Sequence, residues 1–412
     1  MTKVGLMQYM QLMYTYAPAW GFGGPTRIMY DYARWMVDAT SRTIVIAGDI
    51  NHDYGAIPLK SEVMQGIQIR RIPVYWKHLA KKSFNCVSPS MLLFAVWEIM
   101  RSPSHIALHV GELRSPVFLY AVILKRIFPR KVVLIHSAFG MLHFKSSKIR
   151  RIYDRMFMGL MLRSIDVALA QNEHELRCYQ DYFLRYKVLG GDITLFPLHT
   201  GKQALINEPT DEGVETARVS LRKKHSVPED AFVLIFLGRL HPAKGIIRTI
   251  DTFIQFSKEH CGSTYLLIVG RDDGFQQQVV DYIRVCGATL TIRIVNDVYE
   301  DRFEYYTLAD MFLGFPTIYE ETMLASVEAL SCGTPVLVSR EADVPFVEEE
   351  SAGFVIDFTI EVASERIHRI AAQPNMFRSQ ALKVAEKCFL ETAARNNLIS
   401  ILNQSIVRLS RR

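Results

Sequence analysis

Residues 232–245 read FVLIFLGRLHPAKG, an uninterrupted apolar run followed directly by a loop that contains glycine. Consecutive apolar residues rich in β-branched and aromatic side chains are typical of a strand buried on both faces of a parallel sheet. The stretch after the loop has the apolar period of a helix, so this segment predicts a strand, a loop and a helix in succession. Because parallel sheets bind ligands beyond the carboxyl ends of their strands, the loop 238–245 is a candidate binding segment.

The same alternation runs through most of the chain. Apolar runs predict strands at 43–47, 131–136, 167–170, 232–237, 265–269, 291–295, 311–315 and 335–339, with an additional first strand at 4–8. Helical patterns lie between them, among others at 25–39, 145–164, 245–259 and 322–332. Strands alternating with helices predict the α/β class with parallel sheets. A chain of 412 residues fits two such domains, which we expect to be Rossmann-like and to face each other across a cleft.

Polarity and charge suggest where the domains meet. A polar stretch at 207–216 interrupts the alternation near the point where the charge balance reverses. We therefore predict an N-terminal domain at 1–200, a linker at 201–228 and a C-terminal domain at 229–374. The helical stretch 375–412 is expected to pack back toward the N-terminal domain.

Composition excludes several classes of protein. With 49% hydrophobic and 22% charged residues the chain is globular, and its apolar runs are far shorter than the roughly 18 residues of a spanning helix. Gln8 and Gln11 interrupt the N-terminal apolar stretch, so we expect no secretory signal and a cytoplasmic location. The six cysteines form no C-x-x-C pair, which indicates reduced thiols and no metal site.

The two halves of the chain carry opposite charge. Residues 1–200 contain 25 Lys and Arg against 13 Asp and Glu, whereas residues 201–412 contain 23 against 29. The basic half is expected to meet an anionic surface. Cations beside apolar residues predict contact with a membrane of anionic lipids, and solvated helix faces are the alternative. The candidates are Arg70, Arg71, Lys81, Lys82, Lys148 and Arg151. No nucleic-acid module is present.

The loop 238–245 has the chemistry of an anion site. Arg239 and Lys244 bracket the N-terminus of the following helix, whose unpaired amides favour a negative charge. The pattern predicts a diphosphate clamp, and a solvated turn is the alternative. A Walker A loop is excluded because no G-x-x-x-x-G-K-[ST] occurs.

Three further segments follow predicted strands. Glu320 and Glu328 lie eight positions apart after the strand 311–315, and helix N-terminal amides near Met323 and Leu324 can receive phosphate oxygens. Carboxylates at this spacing can accept hydrogen bonds from two sets of paired hydroxyls, although chance also produces such pairs. Gly23 and Gly24 follow the first predicted strand, where their amides can face an anion. His136 ends the strand 131–136, either at a ligand or as an ordinary hydrogen-bonded core residue.

The order of these segments resembles that of the retaining glycosyltransferases of family four, which have the GT-B fold. The resemblance covers essentially the whole chain and is strongest from 232 to 357, where the loop 238–245, residues 270–275 and the Glu-x7-Glu segment follow one another. It implies that Arg239 and Lys244 bind the diphosphate of a nucleotide sugar, Glu320 and His136 contact the donor sugar, Glu328 contacts the ribose, and Gly23 and Gly24 lie near the phosphate. Catalysis would then rest on Arg239, Lys244, Glu320 and His136.

The expected function is transfer of a sugar, with retention, from a nucleotide diphosphate sugar to a lipid-linked acceptor or a glycan precursor. The basic domain 1–200 would be the acceptor-binding domain. We expect no cofactor and no metal, because no Asp-x-Asp occurs and protein cations can serve the diphosphate instead. Where family members usually have Gly-Phe-Gly after the first glutamate, this chain has Glu321, Thr322 and Met323, so the donor sugar is not implied. A nucleotide-sugar epimerase of the same fold and a non-catalytic subunit are the alternatives.

Overall fold

The computed structural model describes residues 7–19, 24–51, 55–58, 60–75, 77, 88–111, 113–139, 142, 148–200, 212–296, 302–320 and 322–410. The chain divides into two compact units. The first contains Met1–Phe196 and Ala394–Arg412, and the second contains Pro197–Ala393.

The first unit is built around a sheet of eight strands. Its elements in chain order are β1 (Met7–Met13), α1 (Gly24–Met36), β2 (Arg42–Gly48), β3 (Ser61–Met64), β4 (Ile67–Ile72), α2 (Pro89–Arg101), β5 (His105–Val110), α3 (Pro116–Ile127), β6 (Val132–Ser137), α4 (Lys148–Tyr153), a π-helical turn (Asp154–Met158), α5 (Gly159–Leu162), β7 (Val167–Ala170), α6 (Glu173–Arg185) and β8 (Asp192–Leu195). The strand order is β3-β4-β2-β1-β5-β6-β7-β8. All neighbours are parallel except β3, which pairs antiparallel with β4.

Helices cover the faces of this sheet because alternate strand side chains point to opposite faces. Met10 and Leu12 of β1 belong to a core cluster that also includes buried residues of α2, α3, α5 and α6. The inner strands β1 and β6 are continuously buried, as expected for a parallel sheet covered on both sides.

The second unit is built around six parallel strands. Its elements are α7 (Glu212–Lys224), β9 (Phe232–Leu237), a 3₁₀ turn (Pro242–Lys244), α8 (Ile246–Glu259), β10 (Thr264–Val269), α9 (Gln276–Val285), β11 (Ile292–Val295), α10 (Arg302–Leu308), β12 (Met311–Gly314), α11 (Leu324–Ser331), β13 (Val336–Ser339), a 3₁₀ turn (Arg340–Ala342), β14 (Gly353–Ile356), α12 (Ile360–Ala372), α13 (Pro374–Val384) and a π-helical turn (Ala385–Phe389). The strand order is β11-β10-β9-β12-β13-β14. Two apolar clusters cover its faces. The last helix, α14 (Glu391–Ser410), lies in the first unit from Ala394 onward.

The predicted α/β class and parallel sheets are confirmed. All eight strands predicted from apolar runs are present, with ends displaced by at most one residue. The strand predicted at 4–8 overlaps β1 at Met7 and Gln8, and residues 4–6 lie outside the described part of the chain. The pattern did not predict β5, the β3–β4 hairpin, β8 or β14.

The division into units differs from the predicted domain boundaries at two places. Within the predicted linker 201–228, α7 packs into the second unit, because Arg218 and Arg222 pair with Asp310 at 2.6 and 3.2 Å. The predicted C-terminal segment 375–412 divides at Ala394. Residues before that point, such as Val384 and Phe389, are buried in a core cluster of the second unit.

Candidate functional site

The predicted loops meet at the switch point of the second sheet. The strand order places β10 and β11 on one side of β9 and β12, β13 and β14 on the other, so the direction of winding reverses between β9 and β12. The loop after β9 and the loop after β12 both leave from the carboxyl ends of these strands. Parallel sheets bind ligands in the crevice at this position.

Hydrogen bonds to backbone carbonyl groups hold the two loops in place. The Thr317 amide donates to the Ala243 carbonyl at 2.9 Å, and the Arg248 guanidinium donates to the Pro316 carbonyl at 2.9 Å. Gly245 has φ +70°, and a Cβ there would lie 1.7 Å from the Phe315 carbonyl oxygen. Only glycine allows this close approach, so the local sequence determines the spacing of the loops.

The close approach brings Lys244 and Glu320 into contact. The Lys244 ammonium donates to the Glu320 carboxylate in an ion pair between the two loops. The side chains are 20% and 26% exposed, so solvent or a ligand can reach both. The Glu320 amide donates to the Glu341 carbonyl at 2.6 Å, which fixes the backbone beneath this carboxylate. Sequence analysis predicted both residues as donor contacts but did not predict that they pair.

Arg239 lies at the start of the loop after β9. Its guanidinium pairs with Asp273 at 2.5 Å and is half exposed, at 53%. The neighbouring Asp272 carboxylate accepts hydrogen bonds from the amides of Gln276, Phe275 and Gly274, and these donors lower its pKa. Arg239 therefore stands beside an ordered loop, on an accessible surface suited to a phosphate.

Glu328 is held by two residues that sequence analysis did not single out. One carboxylate oxygen accepts from Arg302 Nε at 2.9 Å, and the other accepts from the Tyr306 hydroxyl at 3.1 Å. Burial and the nearby Glu328 charge raise the pKa of Tyr306 well above its usual value. Arg302 and Tyr306 lie four positions apart on one face of α10, which was the available signal, although this spacing does not identify their partner.

The start of α11 differs from expectation at Met323. Its amide donates to the Ala342 carbonyl at 3.0 Å, so this amide is not available for the predicted contact with phosphate. Leu324 is the first residue of α11, and no side chain caps this end of the helix. Thr322, at the position of the family's usual phenylalanine, adopts a left-handed conformation with φ +30°.

The remaining candidates belong to the first unit. Gly24 begins α1, and Gly23 lies outside the described residues. His136 is at the carboxyl end of β6, as predicted, but its ring is fully buried. It stacks on Phe118 with 4.4 Å between ring centroids, and its Nδ1 lies 2.7 Å from the Tyr179 hydroxyl. Its contact with a sugar stays a prediction.

The basic candidates have different fates. Arg71 is wrong as a membrane contact, because it is buried, pairs with Glu62 at 2.5 Å and donates to the Ala17 carbonyl. Arg70 is exposed, with its guanidinium 5.2 Å from the centre of the Phe94 ring, and Arg151 is exposed on α4. Lys81, Lys82 and the side chain of Lys148 lie outside the described residues.

Two features are absent from the described part of the chain. None of the helices there is both long and apolar enough to cross a membrane. Within the same ranges, no group of three or more His, Cys, Asp or Glu side chains is arranged to hold a metal ion.

A protein-family model matches part of the second unit. Residues 218–386 match the family model described as glycosyl transferases group 1. The α-monoglucosyldiacylglycerol synthase of Acholeplasma laidlawii is 29% identical over 152 residues, which are 36% of this chain and 37% of that protein. The lipopolysaccharide 1,2-N-acetylglucosaminetransferase of Salmonella typhimurium is 27% identical over 143 residues, 33% and 37% of the two chains. The matches span little more than a third of these relatives.

Solved structures extend the similarity of fold to the whole chain. Anabaena HepE in complex with UDP superposes with a TM-score of 0.69 at 15% identity, covering 96% of this chain and 100% of that chain. Its complex with UDP-glucose gives a TM-score of 0.66 at 16% identity, covering 96% and 99%. Residues 218–386, 169 of the 412 residues, therefore match the glycosyl transferases group 1 family, and the chain as a whole has the GT-B fold.

Proposed function

We propose that this chain transfers a sugar from a nucleotide diphosphate sugar to an acceptor hydroxyl. The observation that carries the proposal is the contact between Lys244 and Glu320 at the switch point of the second sheet, within the family match. A cation and a carboxylate side by side suit a substrate that joins a diphosphate to a polyol. HepE, which shares the fold, is known in complexes with UDP and UDP-glucose.

Charge complementarity supplies the catalytic argument. As the bond between the anomeric carbon and the phosphate oxygen breaks, negative charge develops on the diphosphate. Lys244 and Arg239 stabilise that charge more strongly in the transition state than in the ground state. The acceptor oxygen bonds to the anomeric carbon on the same face, and its proton passes to the leaving phosphate oxygen. The products are the glycoside, with retained configuration, and the free nucleotide diphosphate.

The two glutamates divide the recognition of hydroxyl groups. Glu320 accepts hydrogen bonds from the donor sugar once the diphosphate has become the partner of Lys244. Glu328 accepts from the ribose, in an orientation set by Arg302 and Tyr306. Carboxylates bind hydroxyls well because hydrogen bonds to a charged acceptor are stronger than neutral ones.

The acceptor is proposed to be lipid-linked or a glycan precursor. The names of two relatives support this class, since one is a diacylglycerol glycoside synthase and the other acts on lipopolysaccharide. We propose that the protein works in the cytoplasm, peripherally on the inner face of the membrane. We also propose that it needs no cofactor or metal ion, because Arg239 and Lys244 supply the positive charge at the diphosphate.

The test is an assay of the purified chain with a panel of nucleotide diphosphate sugars, with and without lipid acceptors, in the presence and absence of EDTA. The proposal expects acceptor-dependent release of nucleotide diphosphate, insensitivity to EDTA and a product whose anomeric configuration, read by NMR, matches the donor. Interconversion of the donor without acceptor would identify an epimerase instead. Nucleotide binding without either reaction would identify a non-catalytic subunit.

Replacement of Lys244 tests the catalytic role. Lys244→Ala is expected to lower kcat roughly 10²- to 10³-fold, because it removes a preorganised positive charge from the leaving group. Lys258→Ala, an exposed lysine in the last turn of α8, is the matched control and should leave kcat unchanged. Circular dichroism verifies folding of both variants. A near-normal kcat/KM for Lys244→Ala contradicts the proposed clamp.

A further inference from the structure

Three neighbouring helical segments, α2, α3 and the run from α4 through α5, lie together with α6 on one face of the first sheet. Each contributes buried residues to the same core cluster. Ile99 of α2, Phe118 of α3 and Met161 of α5 are examples, all fully buried. The inward faces are thus accounted for by packing on the sheet, and the opposite faces point to solvent.

These outward faces are unusually apolar. On each helix, large hydrophobic side chains recur at helical spacing on the exposed side. They are Leu93 (70% exposed), Trp97 (46%), Met100 (67%), Ile123 (40%), Ile127 (54%), Ile152 (62%) and Met156 (65%). We call these seven residues the outer apolar surface. Single exposed apolar residues are ordinary, but seven on one helical layer mark an interaction surface.

The charged side chains described as exposed on these three helical segments have one sign. The three helical segments contain seven Lys and Arg but only two acids. Both acids turn inward to partners, since Glu98 pairs with Arg42 at 2.6 Å and Asp154 pairs with Arg114 at 2.8 Å. The exposed arginines on the same helices are Arg101, Arg126, Arg151 and Arg155. Outside the helices, Arg70 lies over Phe94 of α2.

Aromatic and cationic groups are combined within the surface itself. The Arg101 guanidinium lies 4.5 Å from the centre of the Trp97 ring. Tryptophan and arginine together suit the boundary between lipid headgroups and acyl chains, where the ring is partly in an apolar medium and the cation meets phosphate. A second copy of this chain is a poorer occupant, because a symmetric dimer through this face would bring two cationic surfaces together.

We infer that the outer apolar surface and its arginines dock onto a bilayer containing anionic lipid. The inference rests on the proposed function only for its purpose, which is to bring the first unit to a membrane-embedded acceptor. Binding to lipid is measured without turnover, so the two proposals can fail separately. Of the arginines that the sequence predicted as membrane contacts, Arg70 and Arg151 are exposed on or next to these helices, and Arg71 is excluded because it is buried.

The experiment is co-sedimentation of the full chain with vesicles of phosphatidylcholine alone or mixed equally with phosphatidylglycerol, at low and high salt. We expect binding to the anionic vesicles that weakens at high salt, because screening shortens the reach of the charges. Arg151→Glu and Arg155→Glu should each lower the partition coefficient about fivefold or more. The double variant Leu93→Ser/Trp97→Ser should abolish the salt-resistant part of binding.

A matched control and a second readout make the result specific. Val285→Ser/Leu290→Ser removes two residues of the second unit that are 85% and 79% exposed, and vesicle binding should not change. Trp97 fluorescence, assigned by difference against Trp97→Phe, should be quenched by lipids brominated near the headgroup. Absence of binding, equal loss in the control, or a dimer that these surface variants dissociate in light scattering would each overturn the inference.

Discussion

At the residue scale, the ion pair between Lys244 and Glu320 is the central feature of the proposed donor site. The two residues are 76 positions apart, and each neutralises the other in the ligand-free protein. In the proposed function, a diphosphate that binds Lys244 competes with the Glu320 carboxylate for this ammonium group. The released carboxylate is then free to accept hydrogen bonds from the hydroxyl groups of the sugar. Binding of the phosphates therefore prepares Glu320 to bind the sugar.

Glu320→Gln separates these two roles. Without the carboxylate, Lys244 loses its competing partner and the local negative charge disappears. Affinity for nucleotide diphosphate is therefore expected to rise roughly threefold to tenfold, by about 1 kcal/mol, the scale of a partly exposed ion pair. Turnover should fall roughly tenfold to a hundredfold, because a hydrogen bond from the sugar to a charged group is lost.

For Glu320→Gln, calorimetry measures the affinity for nucleotide diphosphate and steady-state kinetics measures turnover. Asp357→Asn is the control, because Asp357 forms an exposed ion pair with Arg340 in the same unit and should change neither quantity. If Glu320→Gln binds nucleotide diphosphate more weakly than the unaltered chain, the competition between carboxylate and phosphate is refuted.

Single residues show where sequence reasoning stops. It identified Lys244 and Glu320 because their chemical types follow predicted strand ends. It could not identify the partners of Glu328, which lie on a different helix, or the burial of Arg71. The latter depends on Glu62 across the β3–β4 hairpin and on the Ala17 carbonyl, both brought to Arg71 only by the fold.

At the element scale, the site depends on how closely the loop after β9 approaches the loop after β12. Gly245 controls this approach, since its left-handed backbone and the nearby Phe315 carbonyl leave no room for a side chain. The geometry of the ion pair is thus a property of two loops rather than of two side chains.

Gly245→Ala is expected to separate the loops. The left-handed conformation alone costs about 1–2 kcal/mol for a residue with a Cβ, and relief of the backbone collision adds to this cost. Melting temperature and kcat should both fall. Gly287→Ala is the matched control, because Gly287 also has φ +70° but nothing lies within 4 Å of its Cβ position. Gly287→Ala should lose only the stability that the left-handed conformation costs, and it should keep full activity. Equal activity in both variants would contradict the role of the loops.

Elements were predictable where burial made them continuously apolar. All eight predicted strands have this character, whereas β5 was missed although it lies in the middle of its sheet. Its His109 is fully buried between the Tyr9 hydroxyl at 2.7 Å and Ser137 Oγ at 2.9 Å. Burial lowers the pKa of His109 to about 3, so the ring is neutral at physiological pH. Tertiary partners make this polar residue compatible with a core strand, and a local pattern does not contain them.

At the scale of the whole molecule, the two halves of opposite charge contain the two proposed binding surfaces. The basic half contains the outer apolar surface, and the acidic half contains the loops around Lys244 and Glu320. The sequence suggested this division, but the outer apolar surface needed the structure, because exposure is decided by packing.

Hydrogen exchange should reveal two separate footprints. Nucleotide diphosphate is expected to slow exchange in residues 238–245 and 315–323 of the second unit, because ligand binding suppresses local opening. Anionic vesicles are expected to slow exchange in α2, α3 and α4 of the first unit. Mass spectrometry of peptides from each unit provides the measurement, with phosphatidylcholine vesicles and the nucleoside alone as controls. Nucleotide protection confined to the first unit would contradict the proposed donor site.

The assignment of α14 to the first unit has a consequence for how this protein is made. Leu398 and Leu402 are fully buried, and Arg408 pairs with Asp192 beside the edge strand β8. On the ribosome, these residues emerge only after the whole second unit has been translated. At roughly 5–20 residues per second, that interval is on the order of ten to forty seconds. During this time the nascent first unit exposes the surface that α14 will cover, so this is the stage at which a chaperone would be needed.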